Sequence, residues 1–141
     1  ISGDDIKVSS AVEVVVSLAG PTDLSKDLPT DSELSAEKFI GNNKLRHPES
    51  FERASPINYL TAGDAPTMII HGTRDQIVPF EQATDFLEAC KKIGVECQLL
   101  AIKNGGHGGG GNIDEWNSSM VQMEKFLLSH LKLLPSSALG L

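Results

Sequence analysis

The chain contains 141 residues, of which 40% are hydrophobic and 22% are charged, and its formal net charge is −7. This length and composition are typical of one globular domain. The negative charge argues against nucleic acid or an anionic membrane surface as a main partner, because both are bound by basic protein faces. No apolar run approaches the ~18 residues of a membrane-spanning helix, so we predict no membrane span.

The first predicted element is a strand at residues 11–19, where AVEVVVSLA is rich in β-branched residues and apolar at nearly every position. Such a run predicts a central strand that is covered on both faces. Gly-Pro-Thr-Asp at residues 20–23 ends it. Residues 1–10 are polar and are predicted to form a loop, with no initiator methionine and no signal peptide. We therefore expect a processed or trimmed chain, or a piece of a longer polypeptide.

Residues 23–63 carry only short helical signals. A helix capped by Ser35 is predicted to end at Ile40, and further short pieces are predicted at residues 49–54 and 55–60. About 40 residues without a long periodic element are too many for a plain connector, so we predict a lid-like insertion or the wall of a pocket. Three aromatic residues could line an acyl or sugar site there: Phe39, Phe51 and Tyr59.

Two further buried strands are predicted, at Thr67–His71 and Val95–Ile102. Between them lie a turn-rich loop, Gly72–Pro79, and a helix whose first turn suits Pro79. Gly94 is placed to end that helix. The helix has one apolar face at helical spacing, formed by Ala83, Phe86, Leu87, Cys90 and Ile93.

A glycine-rich loop, Lys103–Asn112, precedes the final predicted helix. Either Asn112 or Asp114 can cap this helix, and Pro135 is predicted to end it. The tail from Pro135 onwards is expected to fray. The apolar stripe of the helix is formed by Trp116, Met120, Met123, Leu127 and Leu131.

The predicted order is strand, insertion, strand, helix, strand and helix, which is typical of an α/β protein with a parallel sheet. Three buried parallel strands leave two hydrophobic sheet edges, and one of these edges must be covered or paired. The pattern therefore indicates that this chain forms only about half of a complete α/β fold. We expect the free edge to be paired by a missing N-terminal half or by a second copy of the chain.

Cys90 and Cys97 are the only cysteines, and they fall in a predicted helix and in the strand that follows it. We interpret them as two buried free thiols rather than as a disulfide. The sequence has no CxxC motif and no histidine pair at the spacing of HExxH. We therefore predict no metal site and no cofactor.

Two residues stand directly after buried strands: Asp75 after the second and His107 after the third. Open parallel sheets place their chemistry at the carboxyl ends of strands. Each residue also has an ordinary interpretation, because Asp75 can be a turn residue and His107 can simply be exposed in a glycine loop. The glycines beside His107 allow another group to approach its ring, as a proton-transferring imidazole requires. His71, at the end of the second strand, is predicted to have a structural role in supporting the loop.

The sequence HGTRDQIVP at residues 71–79, followed by a helix, a strand and NGGHG, resembles the C-terminal half of α/β-hydrolases of the esterase/lipase and prolyl oligopeptidase superfamily. SLAGPTDL at residues 17–24 and SPINYL at residues 55–60 are similar to further segments of these enzymes. The resemblance extends over residues 12–131, and the middle of the insertion is its least typical part.

The resemblance implies that residues 1–141 are the C-terminal portion of a single α/β-hydrolase domain, with a lid-like insertion at about residues 23–63. It also implies that Asp75 is the acid and His107 the general base of a Ser-His-Asp triad. No serine lies in a GxSxG elbow, so the nucleophile and the oxyanion-hole donors are expected outside this chain. On this interpretation the 141-residue chain alone is inactive.

The function implied by the resemblance is that of a serine hydrolase, and we favour a carboxylesterase over a peptidase. Its substrate would be a small-molecule or carbohydrate-linked ester, cleaved by acyl transfer. The alternative is a non-catalytic module that uses an α/β-hydrolase-like fold for binding or assembly, because a fold alone does not determine function.

Overall fold

The computed structural model describes residues 11–109 and 111–131. The first ten residues and the predicted tail from Pro135 lie outside this range, so the predictions made for them are not tested. The elements, in chain order, are β1 (Val15–Leu18), α1 (Thr30–Ile40), α2 (Pro48–Ala54), a 3-10 helix (Pro56–Tyr59), β2 (Thr67–Gly72), α3 (Glu81–Ile93), β3 (Cys97–Ile102), a second 3-10 helix (His107–Gly109) and α4 (Ile113–His130).

The three strands form one parallel sheet in the order β1-β2-β3. Ile69 in β2 is the register partner of Ser17 in β1 and of Leu99 in β3. All six residues of β2 are buried, as expected for a strand with a neighbour on each side. The predicted α/β class, with three parallel strands and flanking helices, is therefore confirmed.

The prediction that residues 11–19 form a central strand covered on both faces is wrong for the described part of the chain. The strand spans only four residues, and it lies at the edge of the sheet with β2 as its neighbour. Val15 is 37% exposed and Leu18 is 49% exposed. A run of β-branched residues predicts burial, but it does not specify which segment provides that burial.

The main core lies on one face of the sheet. Met68 and Ile70 of β2 form a buried cluster with Ile102 of β3 and Phe126 of α4. The predicted stripe residues Trp116, Met120 and Met123 pack against this cluster while remaining partly exposed. Phe126, which the predicted stripe omits, is the most deeply buried apolar residue described on α4. Side chains alternate along a strand, so Ile69 points to the other face of the sheet.

Two helix boundaries agree with the predicted capping residues. Gly94 ends α3 in the left-handed conformation, with φ of 80°. Asn112, rather than Asp114, caps α4, because its side chain accepts a hydrogen bond from the backbone N–H of Glu115. At α3 the predicted boundary is slightly early: Pro79 precedes the helix, and its carbonyl accepts a hydrogen bond from the N–H of Gln82 at 3.0 Å.

The insertion is more helical than its sequence suggests. α1 begins at Thr30, directly after Pro29, and the predicted cap Ser35 lies inside the helix. The Ser35 hydroxyl instead donates to the carbonyl of Asp31, four residues earlier, at 2.8 Å. No residue of α1 is buried, which explains why it lacks a clear apolar periodicity.

Candidate active site

The loops after β2 and β3 are joined by backbone hydrogen bonds. Thr73 N–H donates to the carbonyl of Ile102 at 3.0 Å, and Arg74 N–H donates to the carbonyl of Gly105 at 2.9 Å. The Thr73 hydroxyl accepts from the N–H of Asn104 at 2.9 Å. The two loops are therefore held side by side at the carboxyl end of the sheet, where parallel α/β folds place their functional groups.

Glycine is required where these loops approach each other most closely. A Cβ atom at Gly72 would overlap the backbone carbonyl groups of Gly105 and Gly106. Gly72 thus permits a short distance between the two loops that any larger residue at this position would prevent. This contact brings Asp75, in the loop after β2, next to His107, in the 3-10 helix after β3.

The Asp75 carboxylate is fully buried and accepts hydrogen bonds at both oxygen atoms. Oδ1 accepts from the backbone N–H groups of Ile77 at 2.8 Å and Val78 at 2.9 Å. Oδ2 lies 2.8 Å from Nδ1 of His107. Asp75 therefore acts as a turn residue, which stabilises its own loop, and it also contacts His107.

Two opposing influences act on the pKa of Asp75. Burial is the largest of them and favours the neutral acid, but the hydrogen bonds from Val78, Ile77 and His107 stabilise the charged form. Together the hydrogen bonds outweigh burial and hold the pKa of Asp75 below its ordinary value of 3.8. Asp75 is therefore an anion at neutral pH and can only accept hydrogen bonds.

The ionised carboxylate determines which nitrogen of His107 carries the proton. Because Asp75 Oδ2 can only accept, Nδ1 of His107 is protonated, and Nε2 of the neutral ring has a free lone pair. Nε2 has no hydrogen-bond partner among the residues that the structure describes, and 38% of the side chain is exposed. This arrangement suits a general base, which needs an oriented ring and an accessible lone pair.

A cavity of about 940 Å³ lies beside His107. Its walls come from the loop after β1, from α1 and from the Asp75 loop, and they are mainly apolar. They include Leu18, Leu24, Leu28, Phe39, Ile77 and Val78. A cavity of this size lined by apolar side chains suits a small organic ligand.

Of the three aromatic residues predicted for a pocket in the insertion, only Phe39 lines this cavity. Phe51 is fully buried in α2, and the predicted pocket role is therefore wrong for it. The same prediction is wrong for Tyr59, which is 61% exposed and is not among the residues that line the cavity. Its hydroxyl donates to the carbonyl of Arg53 at 2.7 Å.

Gln82 is an important residue that the sequence interpretation missed. Its side-chain Oε1 accepts from the N–H groups of Thr22 at 2.9 Å and Asp23 at 2.7 Å, and its Nε2 donates to the carbonyl of Asp23 at 2.9 Å. The Thr22 hydroxyl also donates to the Gln82 backbone carbonyl at 2.7 Å. These contacts join the loop after β1 to the start of α3. Gln82 lies four residues before Phe86 on the apolar face of α3, so a polar residue at that position was the available signal.

Other groups of the described residues do not add to this site. Cys90 and Cys97 are free thiols, the first buried and the second partly buried. Burial raises the pKa of Cys97 to about 12, so this thiol is unreactive at neutral pH. Within residues 11–109 and 111–131, no group of three or more His, Cys, Asp or Glu side chains is arranged to hold a metal ion. No helix in the same part of the chain is long and apolar enough to cross a membrane.

The sequence is similar to those of known esterases and peptidases. The BD-FAE family model matches residues 2–90. Esterase LipC of Mycobacterium tuberculosis is 41% identical over 64 residues, which are 45% of this chain and 16% of LipC. The uncharacterized peptidase YuxL of Bacillus subtilis is 36% identical over 78 residues, which are 55% of this chain and 11% of YuxL.

Solved structures of esterases share the fold. A truncated carbohydrate esterase from gut microbiota superposes with a TM-score of 0.66 at 26% identity, over 80% of this chain and 42% of that one. Thermogutta terrifontis esterase 2 phosphonylated by sarin superposes with a TM-score of 0.66 at 27% identity, over 96% of this chain and 50% of that one. Pyrococcus horikoshii acylaminoacyl peptidase superposes with a TM-score of 0.75 at 22% identity, over 91% of this chain and 22% of that one. At this low identity the similarity supports only a shared fold.

The chain thus spans half or less of the length of each of these proteins. The family model nevertheless covers more than half of the chain, and the esterase structures superpose on 80% and 96% of it. The chain belongs to the BD-FAE family and, with it, to the α/β-hydrolase superfamily.

Proposed function

We propose that this chain supplies the acid and the base of a serine carboxylesterase, with Asp75 and His107 in these roles. The observation that carries the proposal is the 2.8 Å contact between Asp75 Oδ2 and His107 Nδ1, beside an apolar cavity. A buried anion that orients a histidine with an accessible Nε2 is the arrangement that a serine nucleophile needs.

In the proposed reaction, His107 Nε2 takes the proton from a serine hydroxyl as that oxygen attacks the ester carbonyl carbon. The Asp75 carboxylate stabilises the imidazolium ring that forms. His107 then gives this proton to the leaving alkoxide, and an acyl-enzyme remains. A water molecule, deprotonated by the same Nε2, attacks the acyl carbon and releases the carboxylic acid and the free serine.

The serine is proposed to come from outside these 141 residues, because none of the serines of the chain lies in a GxSxG sequence. Residues 1–141 are then the C-terminal portion of a single α/β-hydrolase domain, with residues 23–63 as a lid-like insertion. The exposed side chain of Val15, in β1 at the edge of the described sheet, supports this proposal, since a further strand paired with β1 would cover it. We call this chain, together with the polypeptide that supplies the serine, the complete hydrolase.

The proposed substrate is a small-molecule or carbohydrate-linked ester with an apolar portion. The apolar walls of the cavity beside His107 support such a substrate, because they can bury an acyl or alkyl group. The names of two relatives point in the same direction: one is an esterase and the other a carbohydrate esterase. The peptidase names among the relatives make amide hydrolysis the competing activity.

A non-catalytic binding or assembly module is the second candidate, and the absence of a GxSxG sequence favours it. The test is hydrolysis of p-nitrophenyl acetate and of a p-nitroanilide peptide by the complete hydrolase and by the isolated chain. We expect the complete hydrolase to hydrolyse the ester and the isolated chain to be inactive. In the complete hydrolase, His107→Ala should lower the rate of ester hydrolysis by at least about a thousandfold. The control is His47→Ala, at an exposed histidine that contacts Glu49 rather than Asp75.

Two outcomes would reject the proposed roles. Ester turnover that survives His107→Ala unchanged would exclude His107 as the base. A complete hydrolase that cleaves neither substrate would favour the non-catalytic module. Preferential cleavage of the p-nitroanilide would retain the acid-base pair while replacing the esterase with a peptidase.

A further inference from the structure

A second histidine lies against the Asp75 carboxylate. Nε2 of His71 is 3.3 Å from Asp75 Oδ2, the oxygen that also binds His107, and 2.9 Å from the backbone carbonyl oxygen of Val78. The side chains of His71 and Asp75 are both fully buried. Asp75 is therefore located between two imidazole rings, one buried and one accessible.

The neighbours of His71 determine its protonation. Because the Val78 carbonyl can only accept a hydrogen bond, Nε2 of His71 carries a proton. Nδ1 is buried and has no hydrogen-bond partner in the described part of the chain. A second proton on Nδ1 would be a buried donor without an acceptor, which is costly. His71 thus serves as a fixed donor to the Val78 carbonyl.

His71 holds Asp75 mainly through Val78. Its Nε2–H group donates to the carbonyl of Val78 at 2.9 Å, and the N–H of Val78 donates to Asp75 Oδ1 at 2.9 Å. Nε2 also lies 3.3 Å from Asp75 Oδ2, which is a close contact rather than a hydrogen bond. The ring of Phe80 packs edge-on against the His71 ring, with centroids 5.7 Å apart and planes at 81°, which restricts rotation of the imidazole.

We propose that His71 is a positioning residue, which holds the Asp75 carboxylate so that Oδ2 faces the Nδ1–H group of His107. This role rests on the proposed function for its effect on catalysis. The hydrogen bond between Asp75 and His107, however, can be observed without any substrate. Failure of the positioning role and failure of the proposed function can therefore be distinguished.

The test is proton NMR of the His107 Nδ1–H group in the complete hydrolase, whose low-field signal is assigned by its loss in His107→Ala. In His71→Leu, we expect this signal to move upfield or to disappear through exchange with water. In His71→Gln, whose amide nitrogen reaches the position of Nε2, we expect the signal to be retained. The stability control is Cys90→Ala, at a fully buried residue of α3, which should leave the signal unchanged.

Kinetics give the second measurement. We expect His71→Leu to lower kcat by roughly 10- to 100-fold, with little change in KM, because a slightly misplaced acid impairs proton transfer more than binding. His71→Gln should recover most of this loss. If the NMR signal changes as expected but wild-type protein hydrolyses no ester, the positioning role stands and the proposed function fails.

An unchanged low-field signal in folded His71→Leu would overturn the positioning role, as would an equal loss of the signal in Cys90→Ala. If His71→Leu does not fold, His71→Asn takes its place, because its shorter amide cannot reach the Nε2 position. Loss of the signal in His71→Asn with retention in His71→Gln would support the proposal. The same signal in both variants would refute it.

Discussion

Nδ1 of His107 lies 2.8 Å from Oδ2 of Asp75, although 32 positions separate the two residues in the sequence. The contact forms because β2 and β3 are parallel neighbours whose following loops meet at one end of the sheet. Gly72, which has no side chain, allows the necessary close approach to Gly105 and Gly106. The low pKa of Asp75 keeps the carboxylate ionised, so the contact has a defined donor and a defined acceptor.

Asp75→Asn should abolish most activity of the complete hydrolase while preserving its shape. An amide can donate a hydrogen bond to Nδ1 and so favour the tautomer with its proton on Nε2, which cannot act as a base. We expect kcat for p-nitrophenyl acetate to fall by roughly 10³- to 10⁴-fold. The matched control is Asp114→Asn in the first turn of α4, where the carboxylate is exposed and activity should be retained. A loss of less than tenfold in Asp75→Asn would contradict the assigned acid.

The depressed pKa of Asp75 also predicts how stability depends on pH. A carboxyl group with a lower pKa in the folded protein contributes stability above its unfolded pKa, and the contribution is lost as pH falls through the folded pKa. The free energy of unfolding of wild type relative to Asp75→Asn should therefore be constant above about pH 5 and should decrease below it. Urea unfolding of the complete hydrolase at several pH values measures this difference. A difference that is the same at every acidic pH would show that the Asp75 pKa is not depressed.

Gln82→Leu should destabilise the protein through the loop after β1. The substitution leaves the buried N–H of Thr22 without its side-chain acceptor, and it removes the acceptor and donor that bind Asp23. We expect a loss of about 1–3 kcal/mol in the free energy of unfolding. Gln122→Leu makes the same change at an exposed position of α4 and should alter stability by less than about 0.5 kcal/mol. Equal effects of the two substitutions would argue against the Gln82 contacts.

The exposed side of β1 should make the isolated 141-residue chain dependent on a partner. Val15 exposes apolar surface, and among the described residues the outer edge of β1 has no paired strand, so pairing with another polypeptide is favoured. We expect analytical ultracentrifugation to detect self-association, which Val15→Lys should weaken. Val121→Lys places the same charge at an exposed valine of α4 and should have little effect. A monomeric chain that unfolds cooperatively would contradict this expectation.

The sequence predicted the strands that precede Asp75 and His107 because short apolar runs and glycine-rich turns are local signals. Local patterns single out His71 and Gln82, but their partners Val78 and Thr22 depend on tertiary packing, which the sequence does not specify. The position of β1 at the edge of the described sheet also depends on tertiary packing, because its apolar residues indicate burial but not which neighbour buries them.

The most direct measurement is covalent labelling of the complete hydrolase with a fluorophosphonate, followed by mass spectrometry of its peptides. A fluorophosphonate modifies a serine only when a neighbouring base activates the hydroxyl group. We predict one labelled serine, located outside these 141 residues, and loss of the label in His107→Ala but not in His47→Ala. A label on a serine of this chain, or labelling that persists in His107→Ala, would contradict the proposed pairing of Asp75 and His107 with an external nucleophile.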